Sequence, residues 1–576
     1  MALSENFRNR ALPRLELLYP GSAKEVLTEL ESMASRYTLP IGPGREQLWD
    51  ERDAVLITYG DQVRGEGGSA LAAQQQWLLD HGYKDALGGV HILPFCPYSS
   101  DDGFSVIDYN AIDDIIGDWS DVERLGDDFD LMFDLVLNHC SSQSEWFQKY
   151  LAGEEPYTEY FIEADPTDPR LSQVVRPRSL PLLSPFDTAN GPRHLWTTFS
   201  DDQIDLNFGS VRVLIEMLDV LLNYAAHGAR IIRLDAIAYL WKELGTTCIH
   251  LQQTHEVVKL MRDLLDECAP GTILLTETNV PHRENVSYFG DGDEAQMVYQ
   301  FSLAPLLLDA FLTGDGKPLT DWLTNLEETG AGTTYFNFTA SHDGIGVRPA
   351  EGLLPTSRIG ELVESVKARG GRVSTKRNAD GSDSPYELNI TWFSALGEPD
   401  GSLSSELHAR RFLSSQAVMI ALRGIPGIYF QSLFGAPNDL EGMAGTGRAR
   451  TINRRKYQRD DLDAIVSAAG SPQQLIAEEY RRMLAVRRRQ PAFHPDAAQT
   501  ILQFENPALV GFVRESSDGQ IILVVVNLSA DEVQVDITPN TTQPLTTDLM
   551  QSDAAIEPTS VTLPPYGFRW LVNQSG

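Results

Sequence analysis

Polar residues close several apolar runs in this sequence, and their types suit one kind of chemistry. Asp134, Asn138 and His139 fall in LMFDLVLNH; Arg233 and Asp235 end ARIIRLD; Glu277 ends TILLTE; His342 and Asp343 follow TTYFNFT. Two carboxylates at the ends of neighbouring strands, Asp235 and Glu277, could flank a glycosidic bond, one as nucleophile and the other as proton donor. Arg233 lies two residues before Asp235, so strand alternation turns both side chains to one face, where the guanidinium keeps the carboxylate ionised. Asp235 is therefore the better nucleophile. Glu277 must hold a proton at neutral pH to act as the acid, and burial beside another carboxylate moves it in that direction. A single carboxylate at a strand end is often just a helix N-cap. Several converging together are hard to explain that way.

Something must bring these residues to one place. Eight apolar, β-branched runs alternate with helical stretches: Val55–Tyr59, Gly89–Phe95, Leu131–His139, Ala229–Asp235, Thr272–Glu277, Met297–Phe301, Thr333–Thr339 and Ile425–Gln431. Such alternation predicts an α/β fold, a (β/α)8 TIM barrel whose chemistry gathers at the C-terminal ends of the strands. Two connections are long enough to be functional excursions over that mouth. The barrel then spans 53–490, with inserted subdomains at 140–228, containing VVRPRSLPLLSP, and at 344–423, whose segment 370–388 reads as a mobile loop. Residues 1–52 read as a helical extension with a GPG loop at Gly42–Gly44, and 491–576 as a C-terminal antiparallel β-sandwich domain. The cluster Arg481, Arg482 and Arg487–Arg489 falls on an amphipathic helix and is expected to pair with acidic neighbours.

Composition narrows the function classes. The chain has 576 residues, 42% hydrophobic and 22% charged, enough to bury a large core. Its 81 acidic against 46 basic residues give a net charge of −35, which repels nucleic acid and anionic lipid surfaces. An acidic excess of this size also fits a salt-adapted protein. Cys96, Cys140, Cys248 and Cys268 form no CxxC pair, so reduced thiols are expected. The start, MALSENFRNRALPRL, has no uninterrupted apolar stretch, and a cytoplasmic location is expected.

DLVLNH, RIIRLDAIAY, LLTE and TASHDG resemble the four signature blocks of glycoside hydrolase family 13, the α-amylase superfamily. The resemblance implies Asp235 as nucleophile, Glu277 as acid/base and Asp343 as transition-state stabiliser, with His139, Arg233 and His342 holding a glucosyl ring. PYSSDDGFSVIDY, RPR, TFSDDQIDLNF, ETNVPHRENVSYFG, SHDGIG, PYELN and RTINRRKY resemble the sucrose phosphorylase subfamily. That likeness implies Asp101 and Arg454 as holders of glucose hydroxyls, Phe104 and Tyr239 as aromatic walls, Gln203 as a polar contact, and Arg178 and Tyr386 as phosphate binders. It also implies a glucosyl–Asp intermediate that phosphate attacks in place of water.

Where sucrose phosphorylases carry Gln after the loop tyrosine, this chain has Glu387, an acceptor-site candidate. ETNVPHRENVSYFG and PYELN look more like the glucosylglycerol and glucosylglycerate phosphorylases. Glycerate would need an extra cation beside the acceptor, and the sequence does not single one out. The uncharged osmolyte glucosylglycerol fits the salt-adapted composition. The expectation is thus a retaining hexosyltransferase that converts 2-O-α-D-glucosylglycerol and phosphate reversibly to α-D-glucose 1-phosphate and glycerol. Glucosylglycerate, sucrose or sucrose 6-phosphate are the alternative substrates, ahead of a hydrolase, a transglucosidase or an inactive interaction subunit. No metal and no cofactor beyond phosphate as co-substrate are expected, with Asn138 as a structural hydrogen-bonder.

Overall fold

The computed structural model describes residues 3–37, 47–177, 180–378, 382–538, 544–551 and 559–573. Arg178 and the Gly42–Gly44 loop lie outside them. Eight parallel strands close into a barrel in sequential order: β1 (Val55–Thr58), β2 (Gly89–Ile92), β3 (Asp130–Leu135), β4 (Ala229–Leu234), β5 (Ile273–Thr276), β6 (Met297–Tyr299), β7 (Thr334–Asn337) and β8 (Ile425–Tyr429). All eight apolar runs form strands because each is covered on both sides, by inward-facing side chains and by the surrounding helices. The strands are shorter at their C-terminal ends than the apolar runs. Register β3–β4 stops at the pair Leu135–Leu234, and His139–Ser141 leaves the barrel to pair antiparallel with Gln203–Asp205. His139 thus reaches the mouth from a small sheet above the barrel and not from the end of β3.

The segment 344–423 also contains regular structure. Arg372–Arg377 and Asp383–Asn389 form a hairpin whose second strand pairs with Ile345–Gly346, so the described part of 370–388 is largely sheet. At the N-terminal side, helices Glu5–Leu18 and Ala23–Ala34 pack on barrel helices Gln252–Cys268 and Val211–Ala226. Arg14 and Arg10 lie 2.8 Å from the two oxygens of the buried Asp263, which fixes the extension to the barrel.

The C-terminal part is a five-stranded antiparallel sheet facing a two-stranded one. Strand Ile521–Asn527 shows why its sequence, IILVVVN, lacks polar alternation. Ile521, Leu523 and Val525 fill the space between the sheets, while Ile522, Val524 and Val526 join the core shared with the barrel. The arginine-rich helix Pro472–Arg487 departs from expectation at one end. Arg482 pairs with Glu479, but Arg487 is fully buried and donates to the carbonyls of Ile420 at 2.7 Å and Asp53 and Phe493 at 3.2 Å, tying chain ends together.

Candidate active site

A cavity opens at the C-terminal ends of the strands. Asp235 follows β4, Glu277 follows β5 and Asp343 follows β7, and all three line it. Barrel register sets this convergence: Arg233 pairs with Leu275 on one side and with Asp134 on the other. Arg233 sits behind the lining, 2% exposed, contacting Asp134 and lying 2.8 Å from Asp235 Oδ1. The predicted shared face of Arg233 and Asp235 is present.

Burial raises the proton affinity of both Asp235 and Glu277, with Arg233 opposing; the charge of Glu277 adds to the rise at Asp235, and that of Asp343 to the rise at Glu277. The two are coupled and titrate as a pair. Arg233 is 2.8 Å from Asp235 but 4.0 Å from Glu277, so the proton belongs on Glu277. Ala236, next after Asp235, has φ 51°, a left-handed conformation costly for a side-chain-bearing residue. It aims its N–H at Glu277 Oε2, 3.2 Å away. Burial works against ionising Asp343, but Arg450 and Arg454 outweigh it and hold the carboxyl well below its usual range. Burial also keeps His342 neutral, with its pKa lowered to about 3.

Phe104 stacks on His342 at 4.7 Å between ring centres. The Phe104 carbonyl accepts from Gln203 Nε2 at 3.1 Å and lies 2.8 Å from His139 Nε2. Phe104, His342, His139, Gln203, Asp101 and Tyr239 all line the cavity. Phe199, which the sequence reading missed, packs edge-on against Tyr239 and joins them. Arg454 stands behind the lining, donating to the His342 carbonyl at 2.8 Å. Its nearer carboxylate is Asp102 at 2.6 Å, with Asp101 at 3.5 Å. Among the described residues, the buried His342 Nδ1 and Arg454 Nη2 have no hydrogen-bond partner.

Asn138 spends its amide inside the protein. Its Nδ2 donates to Asp205 at 3.2 Å, and its Oδ1 accepts from Lys242 Nζ at 2.7 Å, which also lies 2.8 Å from Asp205. The ammonium fills the space between the two oxygens, so these residues do not fit a divalent cation.

The far side of the cavity differs most from expectation. A β-bulge inserts Tyr386 between Pro385, opposite Thr375, and Glu387, opposite Ser374. The bulge breaks strict alternation at Tyr386 and Glu387. Tyr386 lines the cavity; Glu387 does not. Glu387 is 2% exposed, accepts from the Gly344 N–H at 2.7 Å, and grips Arg450 with both oxygens, at 3.0 and 3.3 Å. The acceptor-site candidate is thus a buried strut. Arg450 lines the cavity in its place and lies 2.5 Å from Asp343 Oδ1. It is the first residue of RTINRRKY, a block in which the sequence reading singled out only Arg454. Asn279, two residues after Glu277, also lines the cavity, its buried Oδ1 lacking a hydrogen-bond partner among the described residues.

Residues 86–343 match the alpha-amylase catalytic domain and 499–570 the C-terminal domain of maltogenic amylase. A glucosylglycerate phosphorylase of Spirochaeta thermophila is 50% identical over 83% of this chain and 81% of its own length. The chain belongs to the alpha-amylase family, glycoside hydrolase family 13. Within that family it groups with the retaining glycoside phosphorylases. A glucosylglycerate phosphorylase of Escherichia coli is 43% identical over 97% of this chain and 98% of that one. A glucosylglycerol phosphorylase of Marinobacter adhaerens is 27% identical over 76% and 87%. Among solved structures, the sucrose 6F-phosphate phosphorylase of Thermoanaerobacter thermosaccharolyticum superposes with a TM-score of 0.72 at 26% identity, covering 83% of this chain and 94% of that one. Among the described residues, no helix is long and apolar enough to cross a membrane.

Proposed function

We propose that the chain catalyses reversible phosphorolysis of an α-glucoside of glycerate to α-D-glucose 1-phosphate and glycerate. This moves the acceptor from glycerol, which the sequence reading favoured, to glycerate. The observation that carries the change is Arg450, a cation in the cavity wall that the sequence reading lacked. Glu387 takes the Nε–H and one N–H of Nη2, and Asp343 lies beside Nη1, which leaves one N–H on each Nη for a carboxylate. The identities to glucosylglycerate phosphorylases, 50% and 43% against 27% to the glucosylglycerol enzyme, support the same reading.

In this mechanism an Asp235 carboxylate oxygen attacks the anomeric carbon while Glu277 gives its proton to the departing glyceryl oxygen. A glucosyl ester on Asp235 results. An oxygen of inorganic phosphate then attacks the same carbon, its proton passing to Glu277, and the ester bond breaks. Two inversions give net retention. Asp343, held ionised, stabilises the positive charge that builds on the ring, and Phe104, His139, Gln203, Tyr239 and His342 hold the glucose. Tyr386 and Arg178 are assigned to phosphate, and no other co-substrate or cofactor is required.

The test supplies α-D-glucose 1-phosphate with D-glycerate, glycerol, fructose or fructose 6-phosphate separately, beside a control without acceptor, and measures phosphate release. Fastest release with D-glycerate is expected. Fastest release with glycerol would restore the uncharged acceptor, and equal release in the control would make water the true partner.

A further inference from the structure

One carboxylate beside the cavity gathers four serine hydroxyls. Asp202 accepts from Ser99 and Ser142 at 2.5 Å each, from Ser105 at 2.9 Å, and from Ser100. The donors come from different parts of the chain. Ser99, Ser100 and Ser105 bracket the loop after β2 that carries Asp101 and Phe104, and Ser142 follows the short strand that begins with His139. Asp202 itself directly precedes Gln203, and the Ser142 N–H also donates to its carbonyl at 3.2 Å. Asp202 does not line the cavity, but each segment it ties delivers a side chain that does.

The tied loop is strained. Asp101 and Asp102 are consecutive residues at φ 52° and 51°, in the left-handed region that side-chain-bearing residues avoid. Such conformations persist only where the surroundings over-determine them. Arg454 holds the turn from one side through Asp102, and the serine bonds to Asp202 hold it from the other. Burial disfavours the charge on Asp202, but the four hydroxyls overcome it and keep the carboxyl below its usual range, so it stays ionised and acceptor-only.

We propose that Asp202 is a positioning residue for the glucosyl pocket: it holds the strained Asp101–Asp102 turn so that Asp101 and Phe104 stand in register with His139 and Gln203. The inference rests on reading the cavity as a glucosyl site and is indifferent to the acceptor.

The experiment compares wild type with Asp202→Asn, Asp202→Ala and Ser142→Ala. It measures KM for α-D-glucose 1-phosphate, kcat, KM for the best acceptor, binding of D-glucose and the melting temperature. Asp202→Ala should raise the donor KM and weaken glucose binding about tenfold or more, with kcat and acceptor KM moving much less. Asp202→Asn retains one acceptor oxygen and should fall between it and wild type. Ser142→Ala removes a single donor and should give a smaller shift of the same kind, which preserves the test if Asp202→Ala does not fold. Unchanged donor KM and glucose binding in folded variants overturn the proposal, as does a parallel loss of donor affinity, acceptor affinity and kcat with a lowered melting temperature. Wild type that binds no glucose would overturn the glucosyl-site reading and this inference together, whereas glucose binding equal in wild type and variants overturns this inference alone.

Discussion

The two ends of the cavity are built by different means. The glucosyl end hangs on barrel strand ends, where Asp235, Glu277 and Asp343 follow β4, β5 and β7 and parallel register fixes their relative places. The acceptor end depends on contacts between distant loops, chiefly Glu387 on Arg450 across 63 positions of sequence, and on a bulge that re-aims Tyr386. A closed barrel makes the first arrangement rigid and common to many chemistries. Loops make the second open to change by a few substitutions. If this division is right, damage at the glucosyl end should remove the reaction, and damage at the acceptor end should redirect it.

The largest effect belongs to Asp235→Asn, which removes the nucleophile and should lower turnover by about four orders of magnitude or more with every acceptor. Rapid-quench mass measurement should find no glucosyl-enzyme in the variant. Substantial activity with any acceptor would break the comparison at its root.

Glu277→Gln should cost about 10²- to 10⁴-fold with a glyceryl leaving group and far less with an activated one such as a fluoride, because only poor leaving groups need the proton. The pH dependence follows with its sign. Burial raises the proton affinity of Glu277, so wild-type activity is lost as pH rises through that elevated value, and acidification is limited by protonation of Asp235. The alkaline limb should vanish in Glu277→Gln with the activated donor. An alkaline limb that survives there would assign the acid to another group.

The legibility of the sequence divides along the same line. Strand-end residues were readable because an apolar run, its polar terminus and a period of two already determine the facing side chains, as for Arg233 and Asp235. Arg450 was not readable. It lies in a basic block like several others in the chain, and only folding sets it against Glu387 and Asp343 while leaving Arg487 buried on carbonyls. Glu387 was noticed for its residue type, but its direction depends on a bulge that no hydrophobic period announces. Lys242 between Asn138 and Asp205 was equally silent, since the lysine comes 104 positions after its asparagine partner.

Redirection is the test at the acceptor end. Arg450→Ala should raise KM for glycerate about 10- to 100-fold, the loss of one charge-assisted bidentate contact, while KM for glycerol stays within about threefold. Glu387→Gln keeps the shape but gives up the charge, so Arg450 loses its fork and the ratio of glycerate to glycerol use should fall by about tenfold. Both variants should keep D-glucose binding near the wild-type value. Equal losses for both acceptors would place Arg450 in the service of Asp343 alone and return the acceptor to an uncharged molecule.

The smallest effect on turnover is expected below the glucosyl end, where the Lys242 side chain is 2% exposed and serves a fully buried Asp205. Lys242→Met leaves that carboxylate without its counter-charge, although Thr198 still donates to it through its N–H at 2.8 Å and its hydroxyl at 2.6 Å. Breaking a buried pair from one side costs about 3–5 kcal/mol, so the melting temperature should drop by several degrees while kcat stays within about threefold. Adding Asp205→Asn removes the stranded charge and should recover most of the loss. A strand-built glucosyl end predicts this separation of stability from rate. A large fall in kcat that the second change does not repair would show instead that Lys242 acts on the reacting groups themselves, and that the rigid end of the cavity is less self-sufficient than its strands imply.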